Sequence, residues 1–236
     1  MKRRSRHAQI ALGLALPGSS TFADYWPGAN AESMFHLRQA LSTPAFQLVY
    51  LWGPAGAGKT HLMHAACNAD DERRCAYLPL AEVHEYGPDV LDNTDALDLL
   101  CIDDLDVVAG HEAWEHALFD CINRMRERDR KLLFSGRTSL AVLPVARDDL
   151  ISRLRAGLSC SLQSIEDTRL AEALAFLCAR RGMDMTPQVS EYLLRRIPRD
   201  MAALVYWVEQ LDKASLQAQR RLTVPFVREL LATLEH

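Results

Sequence analysis

What this 236-residue chain lacks narrows the classes it can belong to. No stretch approaches the roughly 18 apolar residues that a membrane-spanning helix needs, so no membrane partner is expected. A basic excess is missing too: 27 Lys and Arg stand against 31 Asp and Glu, a net charge of -4. That balance argues against a protein that grips nucleic acid over an extended basic face. The six cysteines (Cys67, Cys75, Cys101, Cys121, Cys160, Cys178) include no C-x-x-C pair and no zinc-site spacing. They read as reduced core thiols of a cytoplasmic protein, not as a disulfide framework. Internal repeats and low-complexity tracts are also missing. The remainder, 49% hydrophobic and 25% charged, is ordinary globular composition, enough for one substantial core or one core plus a small appendage.

What is present is led by one motif. Gly53, Pro54, Ala55, Gly56, Ala57, Gly58, Lys59 and Thr60 form a complete G-x-x-x-x-G-K-[ST] phosphate loop. An apolar run, 46–52, precedes it, and a helix-like segment, 61–67, follows from His61. Glycines let backbone N–H groups turn inward around a polyphosphate, Lys59 supplies a charge for the β- and γ-oxygens, and the Thr60 hydroxyl can ligate Mg²⁺. The expected cofactors are ADP or ATP with Mg²⁺.

Five short apolar segments bounded by loop signals, 46–52, 75–80, 97–102, 131–135 and 158–162, alternate with helical stretches. The pattern predicts an α/β fold with a five-stranded parallel sheet. After Ser164 the strand pattern stops. Asp167 is placed to cap a helix carrying Leu170, Leu174 and Leu177. Thr186-Pro187 starts a second helix, Asp200 a third with Leu204, Val208 and Leu211 on one face, and Pro225 lies at the start of a last one. The expected layout is a flexible tail over 1–20, an α/β nucleotide-binding domain over 21–164 and a C-terminal α-helical lid over 165–236. In the tail, Lys2, Arg3, Arg4 and Arg6 before the apolar stretch 10–16 imitate a secretory signal, but the stretch is short and broken by Gly13, so cytoplasmic retention is expected.

Two further features carry chemistry. The strand 97–102 ends in Asp103 and Asp104, the second metal-anchoring element that a phosphate-loop protein requires. Asp103 is expected to orient the Mg²⁺ shell. Asp104 is expected to polarise an attacking water, although it is one methylene shorter than a glutamate. The Ser152-Arg153-Leu154 step follows an acidic helix start and leads into the fifth strand, where an arginine at a subunit edge can reach a neighbour's γ-phosphate. His61 with His64, and the stretch 111–116 containing two histidines, read as packing and surface residues. The basic run Arg124, Arg126, Arg128, Arg130 and Lys131 reads as a solvated helix end.

Phosphate loop, Ile-Asp-Asp strand end, Ser-Arg step and helical lid, in this order, resemble the AAA+ module of the bacterial initiator DnaA. The segments 21–30, 50–53, 61–67 and 210–215 sharpen the likeness. They are similar to Hda, the family of short DnaA paralogues, and the fit runs over 9–236. The resemblance implies an AAA+ P-loop NTPase that regulates replication initiation and carries no helix-turn-helix DNA-binding domain after the lid. It docks on the DNA polymerase III sliding clamp (β subunit), meets DNA indirectly through that clamp, and stimulates hydrolysis of DnaA-bound ATP in trans. Arg153 would be the catalytic arginine supplied in trans, with Asp104 the water-polarising residue. Gln9, Ile10, Leu12 and Leu14 resemble the family's clamp-binding peptide, in which a glutamine anchors and leucines fill an apolar cleft. The resemblance leaves the preferred nucleotide and a homodimer or higher oligomer open.

The sequence departs from the family twice. Arg137 stands where the family has an aspartate after the fourth strand. Ala202 stands where the lid carries an arginine facing the phosphates; Arg199 lies one helical turn away, and the sequence leaves open whether it replaces that arginine. Both changes point to weak intrinsic ATPase activity. Two rival readings follow: a DnaA-related ATPase or helicase loader that turns over ATP itself, and a clamp-recruited binding module whose nucleotide is only structural.

Overall fold

The computed structural model describes residues 20–234; the clamp-peptide candidates Gln9, Ile10, Leu12 and Leu14 lie outside them. A helix, α1 (Ala31–Ser42), precedes the first strand, β1 (Gln47–Trp52), and the phosphate loop leads from it into α2 (Lys59–Cys67). Then follow β2 (Cys75–Pro79), the short α3 (Leu80–Val83), β3 (Leu99–Asp103), α4 (Glu112–Glu127), β4 (Lys131–Gly136), α5 (Asp148–Arg155) and β5 (Leu158–Ser161). All strand pairs are parallel, in the order β2-β3-β4-β1-β5. Every strand the sequence predicts is present, and each stands within two residues of its predicted bounds.

Both faces of the sheet are covered. Leu48, Tyr50, Leu100, Ile102, Leu132 and Phe134 face one apolar cluster with α4 and α5. Val49, Leu51, Leu99, Cys101 and Leu133 face another with α1 and α2. The alternation is the period-two geometry of a strand with cores on both sides. All six cysteines are free thiols, and Cys75 alone of them is not fully buried. Burial raises the Cys160 thiol to about 11 and the Cys178 thiol to about 12.

The lid is a third cluster built on α6 (Leu170–Arg180), α7 (Pro187–Leu194), α8 (Met201–Ala218) and α9 (Val224–Leu234). The Thr186 hydroxyl accepts from Val189 N, and the Asp200 carboxylate accepts from Ala203 N at 2.8 Å, both as expected of N-caps. Asp167 departs from the expectation. It opens a 3-10 turn (Asp167–Arg169) and caps nothing with its side chain; its carboxylate instead accepts from Arg199 Nε at 2.9 Å. A distant arginine competes better for that carboxylate than local backbone amides do.

The basic run also differs from its expectation. Arg128 pairs with Asp95 at 2.6 Å, Arg124 donates to the Leu91 carbonyl at 3.0 Å, and Arg130 pairs with Asp98. These arginines clamp α4 and the start of β4 onto the loop before β3, so the solvated-end reading holds only for the exposed Arg126.

Candidate functional site

The strand order decides what meets the phosphate loop. β1 carries the loop at its carboxyl end, β4 lies directly beside it, and β3 lies beyond β4, so the ends of three strands converge on one rim. Between this rim and the lid lies a cleft of about 830 Å³, the size of a small-molecule site. Ala55, Gly56, Ala57, Gly58, Lys59, Thr60 and His61 line it, as do Asp104 and Arg137, with Ala202 and Tyr206 across from the lid side. Gly53 and Pro54 reach the site through their carbonyls, which accept from Lys59 Nζ at 2.7 and 2.9 Å.

The loop has the backbone that its glycines allow. Gly58 has φ +87°, and a Cβ there would sit 2.5 Å from the Tyr25 ring, so both the left-handed conformation and the close approach require glycine. Tyr25 donates to the Ala57 carbonyl at 3.1 Å and accepts from Asn30 Nδ2 at 2.9 Å. Burial pushes its phenol up to about 12, partly offset by the Asn30 bond. Asn30 also donates to the Gln163 carbonyl at 2.9 Å and accepts from Gln163 N at 2.8 Å. The amino-terminal segment thereby ties the phosphate loop to the start of the lid. His61 contacts the Thr21 carbonyl at 3.0 Å and faces the cleft, whereas His64 turns inward, edge-on to Tyr77.

Lys59 is nearly buried, at 8% exposure. Burial lowers its ammonium below the usual lysine range, and the charges of Asp103, Asp104 and Asp106 oppose that fall. Asp103, 2% exposed, is saturated with donors: Thr60 Oγ1 at 2.7 Å, Tyr77 Oη at 2.8 Å, Ser135 Oγ and Asp104 N. Asp104 has φ 59° and ψ 52°, a left-handed conformation that aspartate tolerates, and its N–H is held by Ser135 Oγ at 3.0 Å. Burial raises the Asp104 carboxyl and Asp103 adds to the shift, while Arg137 and Lys59 pull it back. Among the described residues no group of three or more His, Cys, Asp or Glu would cage an ion. A Mg²⁺ ion here would be held by Thr60, by Asp103 through its shell, and by the oxygens of a bound phosphate. These residues fit it: a hydroxyl already hydrogen-bonded to a buried carboxylate lies at the rim where phosphate would sit.

Arg153 does not line the cleft. It stands in the last turn of α5, whose Leu150 and Leu154 pack inward at i, i+4, and its guanidinium lies 5.9 Å over the Phe119 ring. Among the described residues it makes no hydrogen bond or ion pair. Arg155 points elsewhere and donates to the Leu140 carbonyl at 3.3 Å. Arg199 is also outside the cleft, bound to Asp167. Arg199 therefore does not take the place of the missing lid arginine beside the phosphate loop.

Glu115 is a residue whose role sequence reasoning missed. Its buried carboxylate accepts from Gly110 N, Ala146 N and Arg147 N at 2.7 to 3.1 Å, fixing the segment that leads into α5. The available signal was a glutamate on the apolar stripe Leu118, Ile122 and Met125 of α4. Glu115→Ala leaves three N–H groups without their acceptor and is expected to lower the unfolding free energy by about 3 kcal/mol. Urea denaturation reads this directly, and a loss below about 1 kcal/mol would show that water replaces the carboxylate.

Comparison with known proteins agrees with this architecture. The family "Hda, lid domain" matches residues 167–231, and the bacterial DnaA ATPase domain matches residues 88–161. Domain III of the Thermotoga maritima replication initiation protein DnaA superposes with a TM-score of 0.67 at 17% identity, covering 91% of this chain and 96% of that one. AMPPCP-bound DnaA from Aquifex aeolicus gives 0.69 at 19%, covering 85% and 67%. A DNA replication initiation factor gives 0.66 at 18%, covering 84% of this chain, which spans 66% of that protein's length. At these identities the likeness to solved structures is one of fold. With the two family matches, the chain is similar to Hda in its lid, to the bacterial DnaA ATPase domain over 88–161, and to DnaA domain III in fold.

Proposed function

We propose that this protein is a nucleotide-bound regulator of replication initiation that docks on the sliding clamp and stimulates hydrolysis of DnaA-bound ATP in trans. The observation that carries the reading is the separation of Arg153 from the chain's own cleft. It is a guanidinium without a polar partner among the described residues, set over a ring at the end of α5, available to a second molecule's γ-phosphate. ADP or ATP would bind through Gly53 to Thr60 and His61, with Mg²⁺ held by Thr60 and Asp103. Bound nucleotide supplies the ligand charge that Lys59 and the loop amides meet, and with it the lid sets the shape presented to DnaA. Asp104 is the carboxylate placed to polarise a water. Arg137 and Ala202, where the family has aspartate and arginine, favour slow turnover by the chain itself.

The test is hydrolysis of ATP held by DnaA, followed on clamp-loaded DNA with and without this protein. No acceleration would sink the proposal. Rapid ATP turnover by this protein alone would favour the rival reading of an ATPase or helicase loader that hydrolyses ATP itself. Anchorage by the tail is tested separately: replacing Gln9, Leu12 and Leu14 by Ala is expected to abolish co-elution with the clamp and leave nucleotide binding unchanged. Unaltered co-elution would make the peptide likeness accidental.

A further inference from the structure

One peptide of the phosphate loop has its orientation set from outside the loop. The Ala57–Gly58 peptide is trans, as is every peptide among the described residues, so its C=O and N–H point in opposite directions. The Ala57 carbonyl is turned to the Tyr25 hydroxyl, which donates to it at 3.1 Å. The Gly58 N–H therefore points away from that hydroxyl, and it has no acceptor among the described residues. Gly58 lines the cleft and immediately precedes α2. An unengaged amide in that place is a donor for a phosphate oxygen.

Tyr25 can fix the carbonyl because it is itself fixed. Its ring occupies the space that a side chain at position 58 would need, and the residue is buried. Its oxygen accepts from Asn30 Nδ2 at 2.9 Å, which directs the phenolic proton to Ala57. That phenol, raised by burial to about 12, keeps its proton at neutral pH. Asn30 is buried too, and its side chain both donates to and accepts from the backbone of Gln163, between β5 and the lid. The segment around Tyr25 is anchored on both sides of the cleft: the Thr21 carbonyl contacts His61 of α2 at 3.0 Å, and Asp24 accepts from Arg180 of α6 at 3.3 Å. A phenylalanine at position 25 would fill the same space and leave the Ala57 carbonyl unheld.

We propose that Tyr25 is a positioning residue of the phosphate loop: its hydroxyl, aligned by Asn30, fixes the Ala57–Gly58 peptide so that the Gly58 N–H meets a phosphate shared by nucleoside di- and triphosphates. The inference rests on the nucleotide-binding reading above. The hydroxyl acts on the phosphate end of the ligand, so a ligand without a base feels its loss as much as a whole nucleotide does.

Calorimetry of the full chain with Mg²⁺, using ADP and inorganic pyrophosphate, tests this at a temperature where circular dichroism shows each protein folded. Tyr25→Phe keeps the ring and removes only the hydroxyl. It is expected to weaken both ligands by the same factor, about 10-fold, the range of one hydrogen bond whose loss leaves a buried acceptor unpaired. In the amide spectrum of ¹⁵N-labelled protein, the shift of the Gly58 proton on adding ADP is expected to shrink in the variant. Unchanged affinities with an unchanged Gly58 shift overturn the proposal, even if the melting temperature falls, because the hydroxyl would then serve the fold alone. Weaker ADP with unchanged pyrophosphate overturns it as well, since Tyr25 would then act on the base. If wild type binds neither ligand, the nucleotide reading itself fails; if Lys59→Ala loses ADP while Tyr25→Phe changes neither affinity nor shift, only this inference fails.

Discussion

Arg153→Ala is expected to leave fold, nucleotide affinity and clamp binding in place and to reduce stimulation of DnaA-bound ATP hydrolysis by about 10³-fold or more. The structure makes the first half of this expectation specific. The Arg153 guanidinium lies over Phe119 and has no hydrogen bond or ion pair among the described residues, so truncation removes one ring contact. Such a contact is worth about 0.5–1 kcal/mol at a partly exposed site. The second half follows from the setting in which a finger works. Inside a closed interface no water replaces a guanidinium aimed at charge developing on the γ-phosphate. Arg153→Lys is expected to restore little, because a point charge lacks the fork. The measurement is the rate at which DnaA-bound ATP becomes ADP on clamp-loaded DNA. A wild-type rate from the alanine variant would move the finger elsewhere; Arg155, the nearest alternative, is tied to the Leu140 carbonyl.

Lys59→Ala is expected to weaken nucleotide binding by about 10²- to 10³-fold, equivalent to two charge-assisted hydrogen bonds to phosphate oxygens. Lys59 Nζ donates to the Gly53 and Pro54 carbonyls. Those carbonyls belong to the loop that a polyphosphate would enter, so the ammonium waits beside its ligand. The alanine variant leaves the charges of Asp103, Asp104 and Asp106, which act on Lys59, without that cation. Their repulsion adds to the loss for an anionic ligand. Equal affinities of wild type and variant in calorimetry would remove the assignment of this cleft as a nucleotide site.

Some of this molecule is legible one segment at a time. The phosphate loop needs its glycines and its Lys-Thr pair within eight residues, so composition and spacing announce it, and the three strands that carry the chemistry are short apolar runs ended by loop signals. Thr186 and Asp200 act on amides three residues away, which is why they are readable as caps. Asp167 has the same local appearance and behaves otherwise, because Arg199, 32 residues on, takes its carboxylate. The basic run after Arg124 likewise looks like a solvated helix end until Asp95 and Asp98 are brought beneath it.

The sequence by itself determined the loop, the parallel sheet, the helical character of the lid and the family likeness, because each rests on residues that are neighbours along the chain or repeat at a helical or strand period. Tertiary structure alone decided the rest. The order β2-β3-β4-β1-β5 sets Gly136 against Gly53 and so delivers Arg137 to the cleft. The same packing joins Asn30 to Gln163 across 133 positions, closes Glu115 on the segment before α5, and leaves Arg153 outside its own cleft while Arg199 is bound away from it. Strand order and register determine which side chains become neighbours, and those pairings follow from burying the sheet's two apolar faces at once, a condition on the whole chain that no short window contains.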